Sequence, residues 1–324
     1  GSIGFENVVE SMEELVGIPK IDMVDLCTPN FLHSEQIKIA AQACKHIYCE
    51  KPLSIDRHTA LEAVKAVEEA SVFNQVAFVL RFLPSIVRAR SLLKHKVVGK
   101  VFNFRAELYH SSYINQKRPM TWRLQKEKSG GGALVDLGSH VIDLTRFLLG
   151  EFETVQAFTG TIIPVRPSKN GKNEKVDVDD WALITAKLDS GAIGTIEVSR
   201  TAVGAEGIRI EIYGDKGSIF INSENPLCPM WFDENLRNRS SEIEQVTEDD
   251  EYLKELIKIY PPPKMTQGWM IDSHTASLVW FINSLNTGRV FHETPSFSEA
   301  YKTQVIMDCA YQSSEMNGLA IRVE

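Results

Sequence analysis

Residues 129–143 read S-G-G-G-A-L-V-D-L-G-S-H-V-I-D, and the rest of the chain can be organised around them. Three glycines end a polar loop, and an apolar-periodic segment follows that runs to Leu149. This pattern predicts one helix, with Ser129 as its N-cap and Gly150 as its stop. At about 100° per residue, one stripe of the helix is apolar. Its members are Leu134, Leu137, Val141, Leu144 and Leu148.

A second face of this helix carries Asp136, His140 and Asp143, which α-helical geometry places within about 60° of one another. An acid one turn before a histidine can orient the imidazole and stabilise its protonated form, which favours acid–base chemistry. A solvated acidic edge with a histidine on it is the alternative, because Asp-x-x-x-His is a common pattern.

Length and net charge argue against some classes of partner for this protein. The chain has 324 residues, enough for about two domains, and a net charge of −8. An acidic balance argues against a nucleic-acid partner or an anionic membrane surface. Neither a bilayer-length apolar run nor a signal-peptide pattern occurs, so we expect a cytoplasmic enzyme or binding protein.

The five cysteines are odd in number and show no repeated close pairing. Cys44 and Cys49 are a weak sign of metal binding, and reduced structural thiols are the preferred interpretation. We therefore expect no metal site.

The first hundred residues alternate strand and helix patterns. Such alternation predicts a parallel sheet with helical crossovers, whose ligands bind at the carboxyl ends of the strands. The predicted strands are Ile21–Cys27, His46–Cys49 and Val76–Leu80, and the predicted helices are Leu32–Lys45 and Asp56–Ala70. The loops at the strand ends are Thr28-Pro29-Asn30, Glu50-Lys51-Pro52 and Arg81-Phe82.

No G-x-G-x-x-G precedes these strands, and Gly1 and Gly4 do not supply one. Residues 1–324 therefore offer about half of a dinucleotide site, and by themselves they are expected to bind a dinucleotide weakly or not at all. A first strand–helix–strand unit is expected to lie outside them.

After residue 100 the pattern changes to successive strands joined by short turns, which predicts a mostly antiparallel sheet. The predicted strands are Val101–Tyr109, Thr154–Ile163, Trp181–Leu188, Ala192–Arg200, Ile208–Tyr213 and Ser218–Ile221. Lys169–Lys175 is predicted to be an exposed loop, and two helices near Thr275–Asn286 and Phe297–Met316 close the chain. We place the domain boundary near residue 100, giving domains of residues 1–100 and 101–324.

Lys51 follows a strand in this pattern, where a fixed positive charge can ease deprotonation of a substrate hydroxyl. An ordinary surface lysine is the alternative. Together with Asp136 and His140, Lys51 favours a site that moves a proton and a hydride.

The ordered motifs resemble the Gfo/Idh/MocA family of NAD(P)-dependent oxidoreductases, which act mostly on sugars, inositols and related polyols. They fall in the family's order across nearly the whole chain, and the series is more specific than any one of them. The matching pieces are Thr28-Pro29-Asn30 with His33, Glu50-Lys51-Pro52, Arg81-Phe82 with Pro84, Trp122-Arg123, Asp136-x-Gly138-x-His140 with Asp143, and Tyr213-Gly214-Asp215-Lys216-Gly217-Ser218.

The resemblance implies an incomplete Rossmann-type domain, an α+β domain with a large open sheet, and a role for each matching residue. His140 would be the general base, Asp136 would orient it, and Lys51 would hold the substrate hydroxyl. NAD or NADP would be the cofactor, and the three glycines would let backbone pass close to the nicotinamide and the substrate. Residues lining the cofactor would be Thr28, Pro29, Asn30, His33, Glu50, Lys51, Trp122 and Arg123. Residues facing substrate would be Lys51, His140, Arg81 and the Tyr109-His110 region.

Two roles remain open for Arg81, a structural pairing and a substrate contact, and Asp143 is expected to stabilise its helix. The expected activity is hydride transfer between NAD(P) and a secondary alcohol or ketone of a sugar, inositol or polyol. Alternatives are a sugar- or cofactor-sensing protein without turnover and an enzyme of different chemistry, such as an eliminating or dihydrodiol-dehydrogenase-like one. The family resemblance also implies a homodimer or homotetramer through the open sheet.

Overall fold

The computed structural model describes residues 7–168 and 170–324. The expectations for Gly1, Gly4 and Lys169 therefore lie outside the described residues. The amino-terminal part forms a parallel sheet with strand order β1-β2-β3. Its elements are α1 (Met12–Val16), β1 (Met23–Leu26), α2 (Asn30–Gln42), β2 (His46–Cys49), α3 (Arg57–Ala70) and β3 (Asn74–Val76). The parallel sheet and its helical crossovers were predicted, and this part of the prediction is confirmed.

The third strand lies earlier in the chain than predicted: it spans Asn74–Val76 and shares only Val76 with the predicted Val76–Leu80. It ends at Val76, and residues Val79–Phe82 form a 3-10 helix instead of continuing the strand. This segment is fully buried. A short, uninterrupted apolar run fits a buried strand and a buried helical turn equally well, so periodicity alone did not locate the end of β3.

The remainder of the chain builds an eight-stranded sheet in the part of the chain that the structure describes, with order β12-β11-β10-β4-β9-β8-β5-β13. Only the β4–β9 pair is parallel among these neighbours, which confirms the mostly antiparallel prediction. The eight strands of this sheet are β4 (Val101–Tyr109), β5 (Phe152–Gly160), β8 (Trp181–Leu188), β9 (Ile193–Ser199), β10 (Gly207–Gly214), β11 (Gly217–Asn222), β12 (Met230–Asp233) and β13 (Ile321–Arg322). Two further strands, β6 (Val165–Pro167) and β7 (Asn173–Lys175), lie outside it. The helices are α4 (Pro84–Lys94), α5 (Lys126–Ser129), α6 (Ser139–Leu149), α7 (Ile243–Val246), α8 (Glu251–Ile259), α9 (Trp269–Thr287) and α10 (Phe297–Glu315).

The predicted loop at 169–175 contains strand β7, which pairs with β6 as a small separate hairpin. All three residues of β7 are exposed. Because an exposed two-stranded ribbon needs no alternation of apolar residues, the polar sequence of this segment resembled a loop.

One face of the large sheet is covered and the other is open. Along β4, Phe104, Ala106 and Leu108 are buried, whereas the intervening side chains are not. Helices α6 and α10 pack on the covered face. Helix α10 also contributes Phe297 and Ala300 to the core of the parallel sheet, so it holds the two sheets together.

Other described features bear on the predicted function classes. No helix described in residues 7–168 and 170–324 is long and apolar enough to cross a membrane. Within the same ranges, no group of three or more His, Cys, Asp or Glu side chains is arranged to hold a metal ion. All five cysteines are free thiols, and Cys44 is exposed whereas Cys49 is buried.

Candidate active site

The glycine-rich stretch begins its helix differently from the prediction. Residues Leu134–Gly138 form a π-helical turn, and the regular helix α6 starts at Ser139. Asp179 accepts the first free N–H groups: its Oδ1 from Gly132 at 2.9 Å and its Oδ2 from Leu134 at 2.8 Å. A carboxylate from 45 residues further along the chain therefore caps this helix.

Ser129 as N-cap is therefore wrong. Ser129 ends the short helix α5, and its hydroxyl lies within hydrogen-bond distance of two carbonyl oxygens, that of Gly131 at 2.8 Å and that of Gln125 at 3.0 Å. Gly150 as the stop is confirmed, since it follows the last helical residue with a φ of 99°.

The glycines are required by packing within the chain. A Cβ atom on Gly132 would lie 1.8 Å from the backbone oxygen of Asp179, and one on Gly131 would lie 2.0 Å from the hydroxyl of Tyr311. That hydroxyl donates to Asp179 at 2.6 Å. Close approach of the cap and of Tyr311 therefore explains these glycines before any bound molecule is considered.

Lys51 and Asp136 form the polar centre of the site. The Nζ of Lys51 donates to Oδ1 of Asp136 at 2.7 Å and to the backbone oxygen of Asp136 at 2.6 Å. Burial by itself raises the pKa of the Asp136 carboxyl, but the charge and hydrogen bond of Lys51 outweigh burial and hold that pKa below its usual value of 3.8. The Asp136 carboxyl is therefore ionised at neutral pH.

His140 lies on the first turn of α6, buried against the ring of Phe78 with the ring centroids 6.1 Å apart. Its Nδ1 is buried without a hydrogen-bond partner among the described residues. Burial, and then the charge of Lys51, lower the pKa of His140 well below 6.5. The ring is therefore neutral at neutral pH.

The predicted orientation of His140 by Asp136 is wrong. No hydrogen bond joins the two side chains in the part of the chain described, and the Asp136 carboxylate is held by Lys51. The two positions were predicted to face each other because residues four apart stack in an α-helix. Spacing within the helix could not show that Lys51, 85 residues earlier in the chain, takes this carboxylate instead.

A first cavity, which we call the strand-end cleft, opens where β1 and β2 end. Six of the residues predicted for the cofactor line it: Thr28, Asn30, Glu50, Lys51, Trp122 and Arg123. Gly131, Gly132 and Arg200 line it as well. Arg200 had no motif to mark it, and its Nε lies 3.2 Å from Oδ1 of Asp180 in an ion pair at the end of the β8–β9 pair.

Two residues predicted for the cofactor do not line the strand-end cleft. Pro29 precedes the first residue of α2 as its N-cap. His33 is fully buried, and its two ring nitrogens each lie 2.9 Å from a carbonyl oxygen, those of Pro52 and Thr28. The predicted cofactor contact of His33 is therefore replaced by a structural role, in which its ring joins the two strand-end loops.

Arg81 and Asp143 form a buried ion pair. The guanidinium donates to both carboxylate oxygens, from Nε at 2.7 Å and from Nη2 at 2.6 Å, and the two side chains are 3% and 1% exposed. Nη1 donates to the backbone oxygen of Glu293 at 3.1 Å. Of the two roles considered for Arg81 the structure shows pairing, so substrate contact is wrong. Asp143 fixes α6 to the 3-10 turn, in keeping with the stabilising role expected for it.

A second cavity of about 460 Å³, the helix-side cavity, lies on the other side of the Lys51–Asp136 pair. The predicted residues Lys51, Tyr109, His110, Asp136 and His140 line it. Sequence reasoning missed its other walls, which come from a strand-joining turn and the start of α9. These are Glu206, Ser223, Trp269, Met270 and His274.

The neutral state of His140 predicts how stability depends on pH. The unfolded chain binds a proton at this residue with a pKa near 6.5, whereas the folded chain does so only at lower pH. The free energy of unfolding should therefore fall as pH decreases below 6.5, by up to about 1.4 kcal/mol per pH unit from this histidine. Urea titrations between pH 7 and pH 5 give the slope of the unfolding free energy against pH. In His140→Gln this slope should be smaller by the contribution of about one proton. Equal slopes in the two proteins would contradict it.

Two family models match this chain. Residues 2–78 match the family model described as an oxidoreductase family with an NAD-binding Rossmann fold. Residues 86–220 match the model of the GFO/IDH/MocA C-terminal domain. The two matches together extend over both sheets.

Two relatives with specific enzyme names are similar to this chain. The chain is 36% identical over 235 residues to levoglucosan dehydrogenase of Pseudarthrobacter phenanthrenivorans, covering 68% of this chain and 60% of that enzyme. It is 30% identical over 217 residues to 2,7-anhydro-N-acetylneuraminate hydratase of Escherichia coli, covering 67% of this chain and 55% of that enzyme. The alignments thus span little more than half of these relatives.

A solved structure extends the likeness to the whole chain. Levoglucosan dehydrogenase in complex with NADH and L-sorbose superposes with a TM-score of 0.88 at 30% identity, covering 100% of this chain and 85% of that one. Agreement of both sheets, the motif order and the two family models leads to one conclusion: this chain belongs to the Gfo/Idh/MocA oxidoreductase family.

Proposed function

We propose that this protein transfers a hydride between NAD(P) and a secondary alcohol or ketone of a sugar, inositol or related polyol. The observation that carries the proposal is the position of the Lys51–Asp136 pair, which lines both the strand-end cleft and the helix-side cavity. A cofactor in one and a substrate in the other would meet at this pair.

The residues of the strand-end cleft fit the nicotinamide half of a dinucleotide. The cleft lies at the carboxyl edge of a parallel sheet, where such ligands bind. Thr28 and Asn30 follow β1, Glu50 follows β2, and Trp122 with the Arg123 guanidinium 4.3 Å above its ring forms a flat wall. The buried Nη2 of Arg200 has no hydrogen-bond partner among the described residues and is available to a polar group. Bound NAD(P) would accept or supply the hydride.

Lys51 is proposed to hold the substrate oxygen. An ammonium has three N–H donors, and Asp136 accepts from Nζ through both its side chain and its backbone. The remaining donor is free to bind a hydroxyl and stabilise the negative charge that develops on its oxygen. Asp136 thus orients Lys51, in place of the orientation of His140 inferred from the sequence.

His140 is proposed to exchange the hydroxyl proton. A neutral imidazole is a proton acceptor, and the lowered pKa of His140 keeps the ring in that form. The Nδ1 atom of His140 is buried and has no hydrogen-bond partner among the described residues, which is not the case for Nε2. We therefore assign the proton transfer to Nε2. In the reducing direction the same atom would return the proton.

An eliminating or hydrating enzyme on the same fold is the second candidate. The Escherichia coli relative is named a hydratase, so the family is not limited to the names dehydrogenase and reductase. The same Lys51 and His140 could serve proton transfers without net oxidation. Net formation of reduced nicotinamide distinguishes the two chemistries.

The test is turnover by the protein expressed from its natural gene, supplied with NAD or NADP and a panel of sugars, inositols and anhydrosugars. We expect reduced nicotinamide to accumulate with at least one uncharged polyol. A bound cofactor with no net reduction, but loss of water from substrate, would favour the eliminating enzyme. Binding of sugar or cofactor with neither reaction would favour the sensing protein.

We further propose that the open face of the large sheet forms a homodimer or homotetramer contact. Phe158 and Ile193 on this face are 50% and 49% exposed, and exposed apolar groups on one face favour association. Light scattering should give a dimer or tetramer, and Phe158→Glu with Ile193→Glu should reduce its mass. A monomeric parent protein would contradict this proposal.

A further inference from the structure

We propose that Arg200, at the end of β9, positions the nicotinamide ring by donating a hydrogen bond to the oxygen of its carboxamide. This inference rests on the proposed function in one respect, since it takes the strand-end cleft as the site of the nicotinamide. It is carried by the way Arg200 is held, by the donors that it leaves free and by its place in the cleft.

Arg200 is buried and fixed at both its backbone and its side chain. Its side chain is 1% exposed, and its Nε donates to Oδ1 of Asp180 at 3.2 Å. The backbone N–H of Arg200 donates to the backbone oxygen of Asp180 at 3.0 Å, and its backbone oxygen accepts from Tyr113 at 3.0 Å. The ring of Tyr113 also packs on the guanidinium, 4.4 Å from its central carbon. The orientation of the guanidinium is therefore set by the protein itself.

Asp180 is held as firmly and offsets the charge of Arg200. Its side chain is fully buried, and its Oδ2 accepts from the backbone N–H groups of Ile162 at 2.8 Å and Ile163 at 3.0 Å. Because the guanidinium already has a counter-charge, it needs a hydrogen-bond acceptor and not an anion.

The two terminal nitrogens of Arg200 keep their donors free. Neither Nη1 nor Nη2 has a hydrogen-bond partner among the described residues, and Nη2 is buried. Buried donors without an acceptor are unfavourable, so most of them in native proteins have a partner. Nη1 is not among the buried unpartnered atoms, so we assign the contact with the cleft to Nη1.

The strand-end cleft brings this guanidinium to the nicotinamide site. Arg200 lines the cleft together with Trp122, Gly131 and Gly132, and it does not line the helix-side cavity. Arg123 lines the cleft too, but it is exposed, so water can satisfy its donors. Arg200 therefore differs from Arg123 in needing an acceptor from the molecule that binds there.

A carboxamide oxygen fits these donors. It is an uncharged acceptor, which suits a guanidinium whose charge Asp180 already offsets. The carboxamide stands at one side of the nicotinamide ring, so a fixed donor to it controls which face of the ring turns toward the Lys51–Asp136 pair. Hydride transfer depends on such an orientation.

The experiment measures cofactor binding without turnover. NAD or NADP, whichever binds more tightly, is compared by calorimetry with its analogue in which hydrogen replaces the carboxamide, on the protein expressed from its natural gene. We expect the cofactor to bind at least about tenfold more tightly than the analogue, the scale of a hydrogen bond from a charged donor. In Arg200→Lys, which keeps a positive charge beside Asp180, this ratio should fall to about threefold or less.

Arg166→Lys is the matched control. Arg166 is also a fully buried arginine, with its guanidinium carbon 6.0 Å from the ring centroid of Tyr113. It donates to the backbone oxygens of Asn115 and Tyr113 and does not line the strand-end cleft. The binding ratio in Arg166→Lys should stay within about twofold of that of the parent protein.

A second measurement needs no variant. In cofactor with an isotope-enriched carboxamide carbon, donation from a guanidinium should move the NMR resonance of that carbon downfield on binding to the parent protein. No downfield shift, equal binding of the analogue by the parent, or an unchanged ratio in folded Arg200→Lys would overturn the inference. A higher KM for the substrate alone in Arg200→Lys would also overturn it, because the guanidinium would then bind the substrate.

Failure of the proposed function is distinguishable from these outcomes. Binding that depends on the carboxamide and on Arg200, with no reduction of the cofactor by any polyol, would leave the inference intact and defeat the dehydrogenase activity. Cofactor reduction with equal binding of the analogue would do the reverse. No binding of either cofactor would overturn both.

Discussion

Lys51→Met is expected to lower kcat/KM for polyol oxidation by about 10²- to 10⁴-fold, the range observed when a proton-transfer or charge-stabilising group is lost. Methionine keeps much of the length of the side chain and removes its charge. The variant leaves the developing charge on the substrate oxygen without a donor, and it also leaves the Asp136 carboxylate unpaired beside that oxygen.

Lys38→Met is the matched control for this measurement. Lys38 is also an ion-paired lysine, 2.9 Å from Glu35, but it lies on the outer surface of α2. The kcat/KM of Lys38→Met should stay within about twofold of that of the parent protein, since a surface ion pair contributes little to stability. If Lys51→Met kept more than a tenth of the parent activity, Lys51 would not be the group that holds the substrate oxygen.

Asp143→Ala is expected to lower the free energy of unfolding by about 3–5 kcal/mol, because it leaves the guanidinium of Arg81 charged and buried without its carboxylate. Both N–H groups that donate to Asp143 would lose their acceptor in a place that water does not reach. Urea unfolding followed by circular dichroism gives the value.

Two comparison variants make this test specific. Glu255→Ala removes the surface ion pair with Lys258. The free energy of unfolding of this variant should fall by less than about 1 kcal/mol. Arg81→Met combined with Asp143→Leu removes both charges, and it should regain most of the stability lost in Asp143→Ala. If Asp143→Ala cost no more than Glu255→Ala, the pair would not be the buried link that fastens α6.

Motif order and periodicity were enough to predict the fold class. The strand ending before Thr28, the strand ending before Glu50 and the strand from Val101 to Tyr109 are all present, and their order is that of the family. These features are local, since each depends on residues next to one another in the chain. The sequence also predicted that Lys51 and Asp136 share a site, although 85 residues separate them.

Side-chain partners were less predictable, because they depend on distant segments. The cap from Asp179 replaced Ser129, and Glu206 and Trp269 entered the site without a motif. His33 belongs to a motif, but a motif places a residue near a loop and does not fix the direction of its side chain. Its ring points between two carbonyls instead of into the cleft.

The π turn before α6 shows a further limit. Asp136 and His140 have the spacing of an α-helical pair, but a π turn at Leu134–Gly138 precedes α6, and the carboxylate of Asp136 binds Lys51. Hydrogen bonds from the backbone N–H groups of Gly132 and Leu134 to the carboxylate of Asp179 fix the start of this turn. The residue types of the site could therefore be predicted, whereas the hydrogen bond that orders them could not.

The proposed function requires the Lys51–Asp136 pair to stand where a hydride passes between substrate and nicotinamide. The most direct measurement uses a polyol deuterated at its carbinol carbons with oxidised cofactor, and mass spectrometry of the cofactor recovered from the natural protein. We predict one deuterium in the reduced nicotinamide, and about 10²-fold or more slower labelling in Lys51→Met. Substrate consumed with no deuterium in the cofactor, or equal labelling in both proteins, would contradict the account.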